Sequence, residues 1–147
     1  MTWIFQLKQY RGPVLFFSVM ISLFVLLQLW HARSASEDKK EEQERQLKGI
    51  ALIMNAQSPK IIDDTRLDSV TYTDGIMRIS YTLTKISKDE IDSDVFTKEK
   101  KTLAASVSCD EKGLGQFVKS GLLIKYIIND SSSSPITEFQ IGKSDCL

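Results

Sequence analysis

The sequence is poor in the side chains that carry enzyme chemistry. Among 147 residues it holds one histidine, His31, and two cysteines, Cys109 and Cys146. His31 directly follows a long apolar stretch, so it cannot complete a Ser-His-Asp or Cys-His centre in the domain that comes after it. The cysteines are too far apart for a redox CxxC pair, and zinc would lack further ligands. The sequence therefore predicts a protein that is not an enzyme, with no catalytic residue, no metal site and no cofactor.

Loops that bind nucleotides or calcium are also missing. Gly113-Leu-Gly115 lacks the further glycines and the lysine of a nucleotide-binding loop. Asp63, Asp64 and Asp68 lie close together, but they lack the glycine and the terminal glutamate of an EF-hand. We interpret the three aspartates as solvated residues of a turn.

The chain has no excess of charge of either sign. It contains 19 lysines and arginines and 19 aspartates and glutamates, so the formal net charge is zero. A nucleic-acid-binding protein normally carries a basic patch, and a surface that binds anionic lipid needs a cluster of cations. Neither nucleic acid nor a polybasic lipid contact is therefore expected.

The longest apolar run, residues 13–30 (PVLFFSVMISLFVLLQLW), contains no charged side chain. As a helix it would extend roughly 27 Å, enough to cross a thin bilayer core. Trp3, Tyr10 and Trp30 flank the run as aromatic anchors at the membrane interface would. We interpret it as a transmembrane helix in contact with the lipid bilayer, preceded by a short tail, residues 1–12. A cleaved secretory signal peptide and a buried helix of a soluble protein are the alternatives.

Two signals conflict on the orientation of this helix. More cations follow the run than precede it, which by the positive-inside rule favours a cytoplasmic C-terminal side. The short tail, however, carries Lys8 and Arg11 without an acidic residue, and two cysteines downstream suit an oxidising compartment. We therefore predict a single-pass membrane protein whose C-terminal domain is periplasmic or otherwise extracytoplasmic.

The rest of the chain divides into a spacer and one small domain. Residues 31–46 (HARSASEDKKEEQERQ) mix both charges, which is typical of a solvated juxtamembrane spacer. A helix begins within this spacer near Ser36 and ends before Pro59, because the residue ahead of a proline avoids the helical region. Residues 47–147 are long enough for one domain with its own core.

Two pairs of β-rich segments flank a helical segment in this domain. Residues 77–83 alternate apolar and polar side chains, with Ile79, Tyr81 and Leu83 on one face. Thr73-Asp74-Gly75 is a turn signal that joins this strand to residues 67–72. A second hairpin is predicted from residues 122–128 and 135–141.

The segment between the hairpins has helical periodicity. Ile91, Val95, Leu103 and Val107 share a helical spacing, with Phe96 and Ala104 beside them, and Asp92 and Ser93 are both suitable N-caps. The predicted fold class is therefore α+β: a transmembrane helix followed by a small α-β-β-α-β-β domain. Its two hairpins would form one antiparallel sheet with helices on one face.

Cys109 and Cys146 are placed where a structural disulfide would be useful. Cys109 ends the predicted helix, and Cys146 follows the last strand. A bond between them would close a loop of about 38 residues, which the chain-entropy model values at roughly 3–4 kcal/mol. The alternative is two free buried thiols in a cytosolic domain.

Several short motifs of this domain follow one another in a recognisable order. They are Pro59-x-Ile-Ile-Asp63-Asp64-x-Arg66-Leu67-Asp68, Tyr81-Thr82-Leu83, Cys109, Gly121-x-x-x-x-Tyr126 and Asp145-Cys146. In this combination the chain resembles a family of small uncharacterised bacterial envelope proteins and lipoproteins with a P-x-x-V-D-x-x-T-R-L-D-type motif and two late cysteines. The resemblance covers about residues 55–147 and implies an extracytoplasmic domain with a disulfide, but no activity. With the predicted transmembrane helix, it implies a single-pass protein of the bacterial inner membrane whose C-terminal domain is periplasmic.

These observations favour a binding role over a catalytic one. We expect a non-enzymatic binding or accessory module for an envelope partner or a membrane complex. The alternatives are an inhibitor of an envelope enzyme, an immunity or exclusion protein, and a small envelope enzyme that acts through the serine loop at residues 131–134.

Overall fold

The described part of the chain begins inside its first and longest helix, α1 (Arg11–Ala56). In this computed structural model the backbone is described from residue 11 to residue 146, and the side chains at residues 24, 25, 28 and 37–146. The chain forms two compact units, Met1–Glu42 and Gln43–Leu147, and each is described by itself.

In the first unit the structure corrects the prediction of a transmembrane helix at residues 13–30. The apolar run belongs to α1, which also takes in the charged residues 37–42. Among the described residues we find no helix whose length and apolar character would let it cross a membrane. The membrane-spanning part of the predicted fold class is therefore wrong. Of the predicted interfacial anchors, Trp3 and Tyr10 lie outside the described residues, as does the side chain of Trp30.

The second unit is built around a sheet of five strands. Helices α2 (Ser93–Ser108) and α3 (Gly115–Lys119) lie in the chain between the third and fourth strands. The five strands are β1 (Lys60–Ile62), β2 (Thr65–Thr73), β3 (Ile76–Leu83), β4 (Leu123–Asn129) and β5 (Pro135–Ile141).

The sheet is mixed, not antiparallel as predicted. Its order is β1-β2-β3-β4-β5, and both predicted hairpins are present as the antiparallel pairs β2–β3 and β4–β5. The hairpins are joined by a parallel pair, β3–β4, in which Ile79 lies opposite Tyr126. The prediction failed because turn signals fix only the pairing within a hairpin, whereas the direction of the next hairpin depends on the helical crossover between them.

One edge strand, β1, was not predicted. Its three residues pair with β2, with Ile61 opposite Arg66 and Ile62 opposite Thr65. The turn between them is made by Asp63, at a positive φ of 54°, and Asp64. Aspartate tolerates this left-handed conformation, which favours a tight hairpin turn. A strand of three residues is too short to show a periodic pattern.

Helix α2 begins where the sequence predicts. The Asp92 carboxylate accepts hydrogen bonds from the backbone N–H groups of Asp94 (3.1 Å) and Val95 (3.2 Å). Such an N-cap satisfies donors that have no partner inside the helix and contributes about 1 kcal/mol.

The core lies on one face of the sheet, in two clusters. Cluster A holds the last turns of α1 against the start of β3 and β4, and cluster B holds α2 against β5 and the ends of β3 and β4. Ile79 and Leu83 are buried, as their alternation on β3 predicts. The buried members of cluster A are Leu47, Ala51, Val70, Met77, Ile79, Val118, Leu122 and Ile124, and those of cluster B are Leu83, Ile128, Ile136, Phe139 and Ile141.

Candidate binding cleft

An apolar cleft of about 250 Å³ opens between α2 and the sheet. Its walls combine side chains of four strands with one side of the helix. The strands contribute Thr65, Tyr81, Leu83, Tyr126, Ile128 and Phe139, and α2 contributes Lys100, Leu103, Ala104 and Val107.

The cleft exists because α2 lies over β5 and leaves part of β2 and β3 uncovered. The hydroxyls of Thr97 and Thr137 form a hydrogen bond of 2.7 Å that ties the start of α2 to β5. Thr65 and Leu83 pair across β2 and β3 at the uncovered end, and both line the cleft. The register of the sheet therefore determines which side chains are presented to a ligand.

Three aromatic rings form a continuous row along the cleft. Tyr81 stacks on Tyr126 with ring centroids 6.4 Å apart, and Tyr126 stacks on Phe139 at 5.3 Å. Tyr126 of β4 lies opposite Ile79 of β3, and Tyr81 is two residues after Ile79. Residues two apart on a strand point to the same face, so both tyrosines lie on the same face of the sheet. Large, stiff aromatic surfaces of this kind bury much apolar area at a low cost in conformational entropy.

The tyrosine hydroxyls in the cleft are uncharged at neutral pH. Burial raises the pKa of Tyr126 above its usual value, although the hydrogen bond with Ser108 opposes this effect. Burial is also the main cause that raises the pKa of Tyr81, and the neighbouring Tyr126 raises it further. Both rings therefore act as apolar surface with a neutral polar tip, which suits binding and not general-base chemistry.

The rim of the cleft exposes large apolar side chains. Leu103 is 59% exposed and Val107 is 65% exposed, and both line the cleft. Ile62 on β1 is also exposed, and it lies beside the cleft residue Thr65. Exposed apolar side chains that are grouped around a concave site mark binding surfaces more often than isolated ones do.

These rim residues were identified in the sequence, but their role was not. The helical spacing of Ile91, Val95, Leu103 and Val107 is typical of a face that packs on a core. In the structure Ile91 does pack on cluster B, but Val95, Leu103 and Val107 are exposed. The adjacent face of α2 packs on the sheet instead, through Phe96, Ala104, Ala105 and Cys109. In the sequence Phe96 and Ala104 stand beside this spacing, but alanine and cysteine give a weaker hydrophobic signal than leucine and valine, so the pattern does not show which of the two faces packs on the sheet.

Cys109 and Cys146 are brought together at the end of α2. The structure joins them by a disulfide, with their Cα atoms 5.3 Å apart. Cys146 lies in a short 3-10 turn, Lys143–Cys146, where the Asp145 carboxylate accepts a hydrogen bond from the backbone N–H of Gly142 (2.9 Å) and pairs with Lys101 of α2 (3.2 Å). The Gly142 N–H, then Lys101, lower the pKa of Asp145. These contacts attach the C-terminal turn to the helix that forms one wall of the cleft.

The serine loop at residues 131–134 is held in place by hydrogen bonds to the carboxylate of Asp130. The Asp130 carboxylate accepts hydrogen bonds from the Ser132 hydroxyl (2.7 Å) and from the backbone N–H groups of Ser132 (2.9 Å) and Ser134 (2.8 Å). These hydrogen bonds, the Ser132 hydroxyl first, lower the pKa of Asp130. The Ser132 hydroxyl is thus used to hold the loop.

Two of the three neighbouring aspartates are engaged in contacts with side chains. Asp64 pairs with Lys85 (2.6 Å), and Asp68 contacts Arg66 (2.5 Å) and the hydroxyl of Thr82 (2.7 Å). Across the residues that the structure describes, no group of three potential metal ligands is close enough to hold an ion.

Comparison with known proteins reveals a shared fold. No protein-family model matches the sequence, and no curated protein matches it. The chain is similar in structure to a candidate secreted protein from Pseudomonas aeruginosa, with a TM-score of 0.61 and 14% identity over 72% of this chain and 94% of that one.

Two further similar structures are pilotins of type II secretion systems. EpsS from Vibrio vulnificus has a TM-score of 0.59 and 18% identity, over 73% of this chain and 97% of its own. AspS from Vibrio cholerae has a TM-score of 0.59 and 12% identity, over 76% of this chain and 99% of its own. At these identities the likeness concerns the fold, which this chain shares over nearly the full length of each of the three proteins.

Proposed function

We propose that this chain is a non-enzymatic accessory protein of the bacterial envelope that binds a segment of a partner protein in the cleft beside α2. The observation that carries the proposal is the combination of an apolar cleft with an exposed apolar rim, Leu103 and Val107. Covering this rim with apolar side chains of a partner would contribute about 25 cal/mol per Å² of buried surface.

The shared fold supports one class of partner. Since EpsS and AspS are pilotins of type II secretion systems, a component of an envelope secretion machine is the partner that we propose. Fold likeness alone does not fix function, so the cleft geometry carries the argument and the likeness narrows the class of partner.

An extracytoplasmic location is part of the proposal. It is supported by the pairing of Cys109 with Cys146, because structural disulfides persist in oxidising compartments. Alkaline phosphatase fused after Leu147 should be active in the cells that make this protein. An inactive, stably expressed fusion would contradict an envelope location.

Photo-crosslinking from the rim tests partner binding directly. We would place p-benzoylphenylalanine at Val107, and at the exposed Gln140 of β5 as a matched control. Neighbouring residues on a strand point to opposite faces, so Gln140 faces away from the side on which Phe139 lines the cleft. We expect the Val107 position alone to yield an adduct, identified by mass spectrometry as a secretion-machine component.

A variant of the rim completes this test. Leu103→Asp places a charge in the apolar rim and should abolish the Val107 adduct while the protein stays folded, because the side chain is exposed. An adduct of equal yield from Gln140, or one that persists with Leu103→Asp, would rule out the cleft as the binding site.

A further inference from the structure

Among the described residues that line the cleft, Lys100 is the only one with a charged side chain. Lys100 lines the cleft, with its Nζ 5.3 Å from the centroid of the Phe96 ring. The next residue, Lys101, is paired with Asp145 at 3.2 Å. No ion pair of Lys100 is present within the described part of the chain, and no aspartate or glutamate is among the described residues that line the cleft.

The free-energy cost of covering the cleft therefore depends on which group the ligand places beside Lys100. Lys100 is half-buried before anything binds. A wholly apolar segment would remove more water from its ammonium group without replacing the lost hydrogen bonds, and burial of an unpaired charge is strongly unfavourable. A carboxylate at this point would form a charge-assisted hydrogen bond in a partly desolvated site.

We propose that Lys100 determines specificity, and that the cleft selects a polypeptide segment with a carboxylate side chain beside its apolar anchors. This inference rests on the proposed function and names the chemistry of the partner. The carboxylate pairs with Lys100 while the apolar side chains cover Leu103 and Val107. Loss of either charge should weaken binding by about 10- to 100-fold, the effect of one charge-assisted hydrogen bond.

A polypeptide fits this site better than a fatty acid, which also joins a carboxylate to an apolar chain. A single acyl chain would lie inside the cavity of about 250 Å³. It would leave Ile62, and the outward parts of Leu103 and Val107, in contact with water. A folded or extended segment with several apolar side chains covers both the cavity and the rim.

Selection from a random peptide library displayed on phage tests the inference on the purified full chain. The baits are the wild type, Lys100→Glu, Lys100→Met and Leu103→Asp, with Lys98→Glu as the control because Lys98 is an exposed cation of the same helix. We expect wild-type peptides to be enriched in an acidic residue at a fixed distance from apolar residues. Lys100→Glu should replace this preference with lysine or arginine, Lys100→Met should lose it, and Lys98→Glu should retain it.

The affinity of one enriched peptide, measured by fluorescence anisotropy, completes the test. Replacing its glutamate by glutamine should weaken binding to the wild type by about 10- to 100-fold, and should have no effect on Lys100→Met. Apolar peptides that bind in a Leu103-dependent way without an acidic preference would overturn the role of Lys100 and leave the proposed function intact. If no peptide depends on Leu103, or only sodium laurate binds, both the inference and the proposed function are overturned.

Discussion

The hydroxyls of Ser108 and Tyr126 form a hydrogen bond of 2.8 Å between the end of α2 and strand β4. Ser108 is only 2% exposed, so its hydroxyl depends on this partner. The bond fixes the last turn of the helix over the aromatic row of the cleft, and it links the position of the cleft wall to the sheet.

The first prediction concerns this bond. Tyr126→Phe should lower the free energy of unfolding by about 1–3 kcal/mol, because a buried hydroxyl loses its partner. Ser108→Ala/Tyr126→Phe should cost less than the sum of the single changes. Urea denaturation measures each value, with Tyr81→Phe as the control, since the Tyr81 hydroxyl has no hydrogen bond to any described residue. Strict additivity would mean that the bond contributes nothing.

The second prediction concerns the disulfide. Cys109→Ser and Cys146→Ser should each lower stability by about 3 kcal/mol, because the bond restricts the unfolded chain, and the double variant should be no worse than either. Thiol labelling of the denatured, unreduced protein should find no free sulfhydryl. Full labelling of both cysteines in protein taken from cells would show that the bond does not form there.

The third prediction tests which face of the sheet is the core. Ile79 is 3% exposed in cluster A, so Ile79→Ala should cost about 2–5 kcal/mol in a denaturant melt. Ile61→Ala removes the same atoms from a side chain that is 64% exposed, and it should cost less than about 0.5 kcal/mol. Similar losses for the two variants would contradict the assigned core.

The fourth prediction concerns alkaline pH. Burial raises the pKa of Tyr81 and of Tyr126 in the folded protein, so near the ordinary value of about 10 the unfolded chain loses these protons first. The contribution of these two tyrosines to stability should therefore be constant below about pH 10, and stability should fall as the pH rises through the raised values. Urea melts across this range measure the fall, and Tyr81→Phe/Tyr126→Phe should make it shallower. An equally steep fall in that variant would assign the effect to other groups.

The sequence predicted the local features of the fold well. The turn at Asp74-Gly75, the N-cap Asp92 and the buried alternation of Ile79 and Leu83 each depend on residues close together in the chain. Turn residues, helix caps and hydrophobic periodicity are all determined by residues that are close together in the sequence, so they can be recognised without the tertiary structure.

The features that position the cleft depend on residues far apart in the chain. The parallel pairing of Ile79 with Tyr126 is decided by how α2 and α3 cross over, which no local signal contains. Leu103 and Val107 have the spacing of core residues, yet they form an exposed rim because α2 is fixed over β5 by Thr97 and Thr137. A binding face and a packing face of a helix have the same hydrophobic pattern, so only the tertiary structure distinguishes them.

The parallel pairing of β3 with β4, which we call the parallel seam, also has a consequence for how the chain folds. The hairpins β2–β3 and β4–β5 join neighbouring segments and can form early, whereas Ile76 meets Leu123 only after the whole helical crossover has been closed into a loop. Loop closure must precede the contacts that stabilise it, so the seam should be the late and rate-limiting step of folding. Until it forms, the inner edges of both hairpins are unpaired, and in that interval the new chain is most exposed to edge-to-edge aggregation.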